Sequence, residues 1–331
     1  MLDLTPPNVA LQIGPVSVFW YGICYALGLV LAGWVIYREA GWRDLRTDFL
    51  PNGMIVVAIA AVIGGRLYHV IDQWQLYKDD PLKIVLPPYT GLGAYGGIIV
   101  GTIVGVLYIR YKREPVLKWA DAIAPGLFAM QFVARWGNFF NQELYGPPTN
   151  LPWGIPIECA KRLPEYPCSA SEAGAAALGV FPFDVTRFHP LFLYESVSGL
   201  LGMLFLIWLG RRYWSRLRPG DLLLVFFIWY SAVRFWLETF RSNNWTFFGI
   251  PTAQRVAGAF ILGSVAVLLL RHRPGLVAAE RAAGGGYDHG PEGPPGPGDG
   301  AEAETAGADG AKMEADGSAP EILQPDAGPP G

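Results

Sequence analysis

Apolar segments of about twenty residues recur along this chain from about Val16 to Leu270, with polar loops between them. The hydrocarbon core of a bilayer is about 30 Å thick, so a helix that spans it needs about 20 predominantly apolar residues. The composition agrees, because 52% of the residues are hydrophobic and only 16% are charged, whereas about 25% are charged in a typical soluble domain. An integral membrane protein is therefore predicted. A cytosolic enzyme, a nucleic-acid-binding protein and a secreted disulfide-rich domain are excluded as first interpretations.

Seven segments are long and apolar enough to be transmembrane helices, which predicts an all-α, polytopic membrane protein. These segments are residues 16–37, 51–72, 91–110, 121–141, 189–210, 221–240 and 251–270, and one long loop covers residues 142–188.

Lys and Arg are concentrated in one of the two alternating sets of loops, which holds thirteen of them against six in the other. Because positive charge favours the cytoplasmic side, the N-terminus is predicted outside and the C-terminus in the cytoplasm. The first span follows no basic residue and is predicted to be retained.

Residues 274–331 differ from the seven-helix domain, residues 1–273, in charge and composition. From Gly275 to the end, eleven acidic residues stand against two basic ones, a net charge of −9, whereas the whole chain carries −3. This tail is rich in Gly, Pro and Ala and has too few large apolar residues to offset the entropy of ordering. A disordered, acidic, cytoplasmic tail is predicted.

Two of the three cysteines, Cys159 and Cys168, lie in the long loop that the predicted orientation places outside. Disulfides form in such oxidising locations, and the sequence leaves open whether these thiols are joined or free. Cys24 lies within the first span and is interpreted as a small buried thiol without a chemical role.

Polar side chains gather near one end of the predicted spans, at the beginnings of the odd-numbered spans and the ends of the even-numbered ones. They include Tyr21, Arg66, His69, Tyr95, Arg135, Asn138, His189, Tyr194, Glu195, Arg234, Glu238, Gln254 and Arg255. Ionisable groups are costly within a bilayer and usually mark function, although Arg near a helix end also extends to the headgroups without any role. Their common level predicts one polar cavity that opens to the outer leaflet.

Spacing adds two expectations about individual helices. Tyr230, Arg234 and Glu238 follow one another at four-residue intervals, so they share a helix face and the last two can pair. Such a pair is compatible with a structural role and with ligand binding, because one carboxylate uses at most two of the five N–H donors of a guanidinium.

Glycines at positions 93, 97, 101 and 105 form a small-residue stripe for helix packing, while Gly96 and Gly97 can also present backbone N–H groups to a ligand.

Arginines from separate helices suit a phosphate-bearing lipid, because guanidinium binds phosphate in a bidentate manner and stays charged when partly buried. The four histidines show no metal-ligand spacing, and no G-x-S-x-G nucleophile motif is present. Neither a metal nor another cofactor is predicted. These features indicate a phospholipid enzyme or transporter of the outer leaflet.

A segment late in the fourth span reads Arg135-Trp-Gly-Asn138-Phe-Phe-Asn141-Gln-Glu143-Leu-Tyr-Gly146. Other short motifs, in chain order, are Trp20-Tyr21-Gly22, Gly64-Gly65-Arg66, Gly96-Gly97 with Gly101, Pro152-Trp153-Gly154, His189-Pro190 with Tyr194-Glu195, Arg218-Pro219-Gly220 and Tyr230-x3-Arg234-x3-Glu238-x2-Arg241. Together these segments closely resemble the signatures of the prolipoprotein diacylglyceryl transferase family. The resemblance runs in order over residues 16–270 and leaves out the tail.

This resemblance implies a bacterial plasma-membrane enzyme that moves the diacylglyceryl group of phosphatidylglycerol to the lipobox cysteine thiol of a prolipoprotein signal peptide. A thioether forms, glycerol phosphate is released, and no nucleic-acid partner is expected. The expected catalytic residues are Arg234, Arg135, Tyr21, Asn138 and Tyr95. The implied substrate-binding residues are Arg135, Asn138, Glu143, Gly146, Tyr230, Glu238, Arg66, Gly96, Gly97 and His189.

The chain departs from the family at one position that bears on thiol activation. Family members commonly have a histidine, to which a base role has been attached, immediately before the Gly-Gly that matches Gly96-Gly97, and this chain has Tyr95 there. A phenol, with a reference pKa near 10, is a poor base at neutral pH. Either Tyr95 acts only as a hydrogen-bond partner or activation comes mainly from the field of the arginines, with His189 a weaker candidate base.

Two other functions stay open. A transporter or flippase for an anionic lipid or solute can use the same arginines without chemistry. Alternating access favours polar groups in both halves of the bilayer, however, and the inner halves of these spans are almost purely apolar. A scaffold whose acidic tail recruits partners accounts for the tail but not for the cavity.

Overall fold

The computed structural model describes residues 5–14, 16–84, 91, 93–169, 179–241, 246–247 and 249–275. Within these ranges the long helices are α1 (Trp20–Trp42), α2 (Leu50–Asp72), α3 (Ala94–Tyr111), α4 (Val116–Asn141), α5 (Leu191–Arg212), α6 (Asp221–Leu237) and α7 (Thr252–Arg271). Short 3-10 helices lie at Trp74–Leu76, Pro81–Ile84, Cys159–Lys161 and Glu238–Phe240. Nearly all of the predicted disordered tail, residues 276–331, lies outside the described residues.

Six of these helices are long and apolar enough to cross a membrane, namely α1, α2, α3, α5, α7 and α6 with its 3-10 extension. The predicted all-α membrane class is thereby confirmed. Helix α4 falls outside this set, and polar side chains such as Lys118, Asp121 and Arg135 interrupt its apolar sequence. Other parts of the protein cover much of α4, since Asp121, Ala122 and Phe128 are all buried. The seventh span and the orientation of the termini stay predictions.

The first predicted span, residues 16–37, is wrong at its beginning. Val16–Phe19 forms a strand, β2, that pairs antiparallel with β1 (Val9–Ile13), and α1 begins only at Trp20. Apolar and polar residues alternate at the start of β2, a period that favours a strand over a helix. A second hairpin, also not predicted, pairs β3 (Thr246–Phe247) with β4 (Ile250–Pro251) directly before α7.

Helices α2 and α3 touch backbone to backbone along the predicted glycine stripe. A Cβ atom on Gly97 would lie 3.1 Å from the carbonyl oxygen of Ala61, and one on Gly101 would lie 3.3 Å from Cβ of Ala61. Gly96, beside the stripe, packs against the backbone of Gly64. Only glycine allows such an approach without displacing the neighbouring helix. The packing interpretation of the stripe is confirmed.

Contacts between neighbouring helices place the beginnings of some helices beside the ends of others. Gly137, near the end of α4, packs against Tyr21 at the start of α1. Ser196, near the start of α5, donates a hydrogen bond of 2.7 Å to the carbonyl of Phe132 in the later half of α4. The starts of α1 and α5 and the end of α4 therefore meet at one end of the bundle.

Buried carboxylates hold the opposite end of the bundle together. Glu39, near the end of α1, lies 2.8 Å from Arg43 and 2.7 Å from Arg211 at the end of α5. Asp121, fully buried near the start of α4, accepts hydrogen bonds from two backbone N–H groups at the start of α6, 2.7 and 3.1 Å away. Those N–H groups would otherwise have no partner within their own helix.

The long loop between α4 and α5 has a small apolar core of its own. That core consists of Tyr145, Ile155, Ile157, Tyr166, Phe188 and Phe192.

A disulfide joins Cys159 to Cys168, so the structure selects the bonded alternative, and Cys24 is buried as predicted. Burial raises the pKa of Tyr145 to about 12, so its hydroxyl keeps its proton and donates to the carbonyl of Lys161 at 3.4 Å.

Candidate active site

One buried carboxylate links two arginines from different helices. Glu195, at the start of α5, has its Oε2 atom 2.5 Å from Nε of Arg135 near the end of α4. Its Oε1 atom lies 3.7 Å from Nη1 of Arg234 near the end of α6. The structure therefore brings both guanidinium groups to the same end of the bundle and ties them to one anchor.

Arg234 also pairs with Glu238, one helical turn later, at 2.9 Å. This is the pair that the four-residue spacing predicts. Arg241 lies within electrostatic range of both arginines and both glutamates. With three arginines against two glutamates, the cluster keeps one excess positive charge, which favours an anionic ligand.

Burial differs between the two signs of charge in this cluster. The side chains of Arg135 and Arg234 are each 25% exposed, whereas those of Glu195 and Glu238 are 4% and 5% exposed. The guanidinium groups therefore form the accessible part of the cluster, and the carboxylates fix them from the protein side. Because a carboxylate occupies at most two of the five guanidinium N–H donors, each arginine keeps donors for a ligand.

A second polar group follows Arg135 at the end of α4. The side-chain amides of Asn138 and Asn141 both donate to Oε1 of Glu143, each at 3.1 Å. The amide oxygen of Asn138 is buried and has no hydrogen-bond partner within the described residues. Since buried polar atoms normally have partners, this oxygen is available to a donor on a bound ligand.

The backbone after α4 turns sharply to bring Glu143 back to Asn138. Gln142 and Leu144 have φ angles of 54° and 58°, in the left-handed region that is costly for residues with a side chain. The N–H group of Glu143 donates to the carbonyl of Asn138 at 2.9 Å and closes the turn. Strain of this kind persists where the surrounding structure enforces it, often at functional sites.

A cavity of about 920 Å³ lies beside this turn, between β2, the start of α1 and the loop after α4. Its polar wall consists of Asn8, Tyr21, Asn141, Gln142, Glu143 and Lys161, and its apolar wall comes from β2 and the first turns of α1. The phenol of Tyr21 lies within electrostatic range of both Glu143 and Arg135. Its hydroxyl donates to that of Tyr25 at 3.0 Å. Tyr21 therefore connects the cavity with the arginine cluster.

His189 precedes α5 and forms a hydrogen bond through Nδ1 with the hydroxyl of Tyr194, at 3.0 Å. The indole N–H of Trp153 donates to the same hydroxyl at 3.0 Å, so the proton of Tyr194 can point to Nδ1. Partial burial lowers the pKa of His189, which favours the neutral imidazole and makes it a weaker base. Its carbonyl accepts the N–H of Gly146 at 2.9 Å, which joins it to the strained turn.

Three predicted substrate-binding residues make packing or backbone contacts instead of joining the arginine cluster directly. Arg66 donates to the carbonyls of Lys83 and Ile84, at 2.7 and 3.1 Å, and so holds the loop after α2. Gly96 and Gly97 face the backbone of α2, as described above. Ligand-binding roles for these three residues stay predictions.

Two predicted tyrosines lie on α3 and α6. Tyr95, at the start of α3, is 70% exposed. Tyr230, one turn before Arg234, lies within electrostatic range of Glu195 and of Tyr95. This places the residue that replaces the family's histidine near the arginine cluster.

Glu195 and Arg241 have no role predicted from the sequence, although both lie among the polar positions and motifs named above. A signal for Glu195 was present, because it is the one acidic residue of α5 and lies at the level of two arginines. A carboxylate buried in an apolar helix needs a cation or several donors as partners. That requirement indicates that Glu195 holds an arginine.

The fold and this site define an α-helical, multi-pass membrane protein with an arginine-rich site suited to phosphate. Residues 8–270 match the family model described as prolipoprotein diacylglyceryl transferase. Among proteins named phosphatidylglycerol--prolipoprotein diacylglyceryl transferase, that of Chloroflexus aggregans is 35% identical over 274 residues, which cover 78% of this chain and 87% of the relative. The protein of Trichormus variabilis is 34% identical over 279 residues, covering 82% and 93%. That of Bifidobacterium adolescentis is 32% identical over 274 residues, covering 81% and 79%. The chain belongs to the prolipoprotein diacylglyceryl transferase family.

Proposed function

We propose that this protein transfers the diacylglyceryl group of phosphatidylglycerol to the lipobox cysteine thiol of a prolipoprotein signal peptide. The observation that carries the proposal is the pair of guanidinium groups, Arg135 and Arg234, held together by the buried carboxylate of Glu195. Two fixed guanidinium groups suit one lipid phosphate. The names of the relatives state phosphatidylglycerol and prolipoprotein for those proteins.

In this reaction the sulfur of the peptide attacks the glyceryl carbon that is bonded to the phosphate oxygen. A C–S bond forms while the C–O bond breaks, and the bonding electrons leave with the phosphate. A thiolate and a phosphodiester, with one negative charge each, become a neutral thioether and a glycerol phosphate dianion. Because the nucleophile belongs to the substrate, the protein needs to supply positive charge and positioning.

The arginines divide these tasks. Arg135 binds the phosphate of the lipid headgroup, and Arg234 stabilises the second negative charge that develops as the C–O bond breaks. Fixed donors aimed at developing charge lower the barrier because they need no reorganisation during the reaction. The buried amide oxygen of Asn138 accepts a hydrogen bond from a headgroup hydroxyl. Glu143 and Tyr21 position that headgroup.

We place this site near the outer leaflet, with the N-terminus outside and the tail in the cytoplasm. The asymmetry of Lys and Arg between the two sets of loops supports this orientation. Helix α4 then forms a seventh span, with Asp121 covered by the start of α6. The lipobox cysteine follows the apolar stretch of a signal peptide, so its sulfur reaches the outer face at the same level.

Tyr95→Phe is expected to keep most of the transfer activity. A phenol is a poor base at neutral pH, whereas the field of the arginines favours the thiolate, with His189 as a weaker candidate base. Initial rates measured by mass spectrometry, with Tyr68→Phe on the adjacent helix as the matched control, check this expectation. A loss of about 100-fold or more in Tyr95→Phe, with Tyr68→Phe unchanged, would instead assign the Tyr95 hydroxyl as the proton acceptor.

The direct test uses the full-length protein, purified and placed in bilayers that contain phosphatidylglycerol, with a lipobox peptide. We expect the peptide to gain the mass of a diacylglyceryl group and an equal amount of glycerol phosphate to appear. A peptide with Ser in place of the lipobox Cys should stay unmodified. Lipid movement across the bilayer with no change in peptide mass would contradict the transferase and favour the transporter.

A further inference from the structure

The cavity beside Tyr21 contains two charged residues that the arginine cluster does not include. Among the described residues lining it, Lys161 is the one cation and Glu143 the one anion. Lys161 is exposed, and none of the ion pairs among the described residues involves its ammonium group. Among the described residues, the cavity therefore has a cation without a carboxylate partner and, elsewhere in its wall, a carboxylate.

Several bonds fix the backbone of Lys161 to the cavity wall. It is the last residue of a short 3-10 helix whose first residue, Cys159, is joined to Cys168 by the disulfide. The N–H group of Lys161 donates to the carbonyl of Glu158 at 2.8 Å. The N–H group of Glu158 in turn donates to the side chain of Gln142, also in the cavity wall, at 2.8 Å. Such pre-organisation lowers the entropy lost when a ligand binds.

Glu143 keeps capacity for a hydroxylated ligand. The amides of Asn138 and Asn141 both donate to the same oxygen, Oε1. A carboxylate has two oxygens and about four acceptor sites, so Oε2 remains able to accept hydrogen bonds. An alcohol donates to such an oxygen, whereas a phosphate is repelled by it. The cavity thus distinguishes the two ends of a molecule that carries both groups.

We propose that this cavity binds the glycerol phosphate released by the reaction, with the Lys161 ammonium on its phosphate and the Glu143 carboxylate on its glycerol hydroxyls. The inference rests on the proposed function, which supplies this product. Tyr21, which lines the cavity within electrostatic range of Arg135, joins the reaction site to the cavity. An exposed, strongly hydrated ammonium binds phosphate as a point charge, so the product passes from the arginines to Lys161 and then to water.

The first test measures inhibition of transfer by added glycerol 1-phosphate. Lys161→Ala is expected to raise the inhibition constant about fivefold, the usual upper effect of an exposed ion pair. Lys161→Arg should restore the wild-type value, and Lys78→Ala, an exposed lysine in another loop, should leave it unchanged. The double variant Cys159→Ser/Cys168→Ser should also raise the inhibition constant, because the segment that carries Lys161 loses its disulfide cross-link.

A second test needs no turnover. Glycerol 1-phosphate is expected to slow the acetylation of Lys161 by an amine-reactive ester, measured by peptide mass spectrometry, without slowing that of Lys78. Equal rates with and without the ligand, or the same protection at both lysines, would overturn the proposal. Transfer assayed in the same preparation reports separately on the proposed function, since thioether formation can succeed while Lys161 shows no protection.

Discussion

Arg135→Ala and Arg234→Ala are each expected to reduce diacylglyceryl transfer by about 100- to 1,000-fold, the range found when a fixed donor to developing charge is removed. Each substitution deletes a guanidinium that contacts the phosphate in the proposed reaction. Arg135→Lys should recover only part of the loss, because an ammonium keeps the charge but lacks the planar fork that binds two phosphate oxygens. Initial rates of thioether formation by mass spectrometry measure all three variants.

The matched control is Arg211→Ala, which removes another arginine from a buried carboxylate, Glu39, at the opposite end of the bundle. It should insert into the membrane, fold and transfer at the wild-type rate. Arg135→Lys serves as a control for misfolding, because Glu195 keeps a cationic partner in that variant. Wild-type turnover by folded Arg135→Ala and Arg234→Ala protein would refute the assignment of the site.

Features that depend on one helix could be predicted from the sequence. The four-residue spacing of Arg234 and Glu238 predicts their pair, which the structure shows at 2.9 Å. The glycine stripe of α3 likewise predicts close packing, because residues on one helix face stay together whatever the tertiary fold. The family resemblance supplied the remaining site residues through local motifs rather than through physical derivation.

Features that depend on meetings between distant segments could not be predicted in this way. Glu195 acts on Arg135 and Arg234, and no spacing within α5 shows which helices lie beside it. The cavity wall joins Tyr21 to Glu143 and Lys161 through a turn with left-handed backbone at Gln142. The sequence does not predict this conformation, because residues other than glycine rarely adopt it. The hairpin before α1 is a different case, because the apolar character of residues 16–19 predicts the beginning of a transmembrane helix, whereas their period of two indicates a strand.

Glu195→Gln is expected to lower kcat about 100-fold, the cost of misplacing a catalytic group by about 1 Å, while KM for phosphatidylglycerol stays the same or falls. Glu195 is a positioning residue, because it holds both arginines and does not contact the lipid in the proposed reaction. The amide has nearly the same shape but carries no charge, so the guanidinium groups lose their anchor. The cluster gains one net positive charge at the same time, which strengthens rather than weakens attraction for the phosphate.

A lower kcat combined with equal or tighter binding of phosphatidylglycerol separates a positioning role from a purely structural one. Glu39→Gln is the matched control, since Glu39 is also a buried carboxylate between two arginines, 2.8 Å from Arg43 and 2.7 Å from Arg211. Both variants should lower Tm, because breaking a buried ion pair leaves charge without its partner. Only Glu195→Gln should lower kcat in the fraction that remains folded. Wild-type kcat and KM in folded Glu195→Gln, as in Glu39→Gln, would show that the carboxylate between Arg135 and Arg234 serves stability alone. A rise in KM with unchanged kcat would also contradict the positioning role, because it reports lost binding of the lipid.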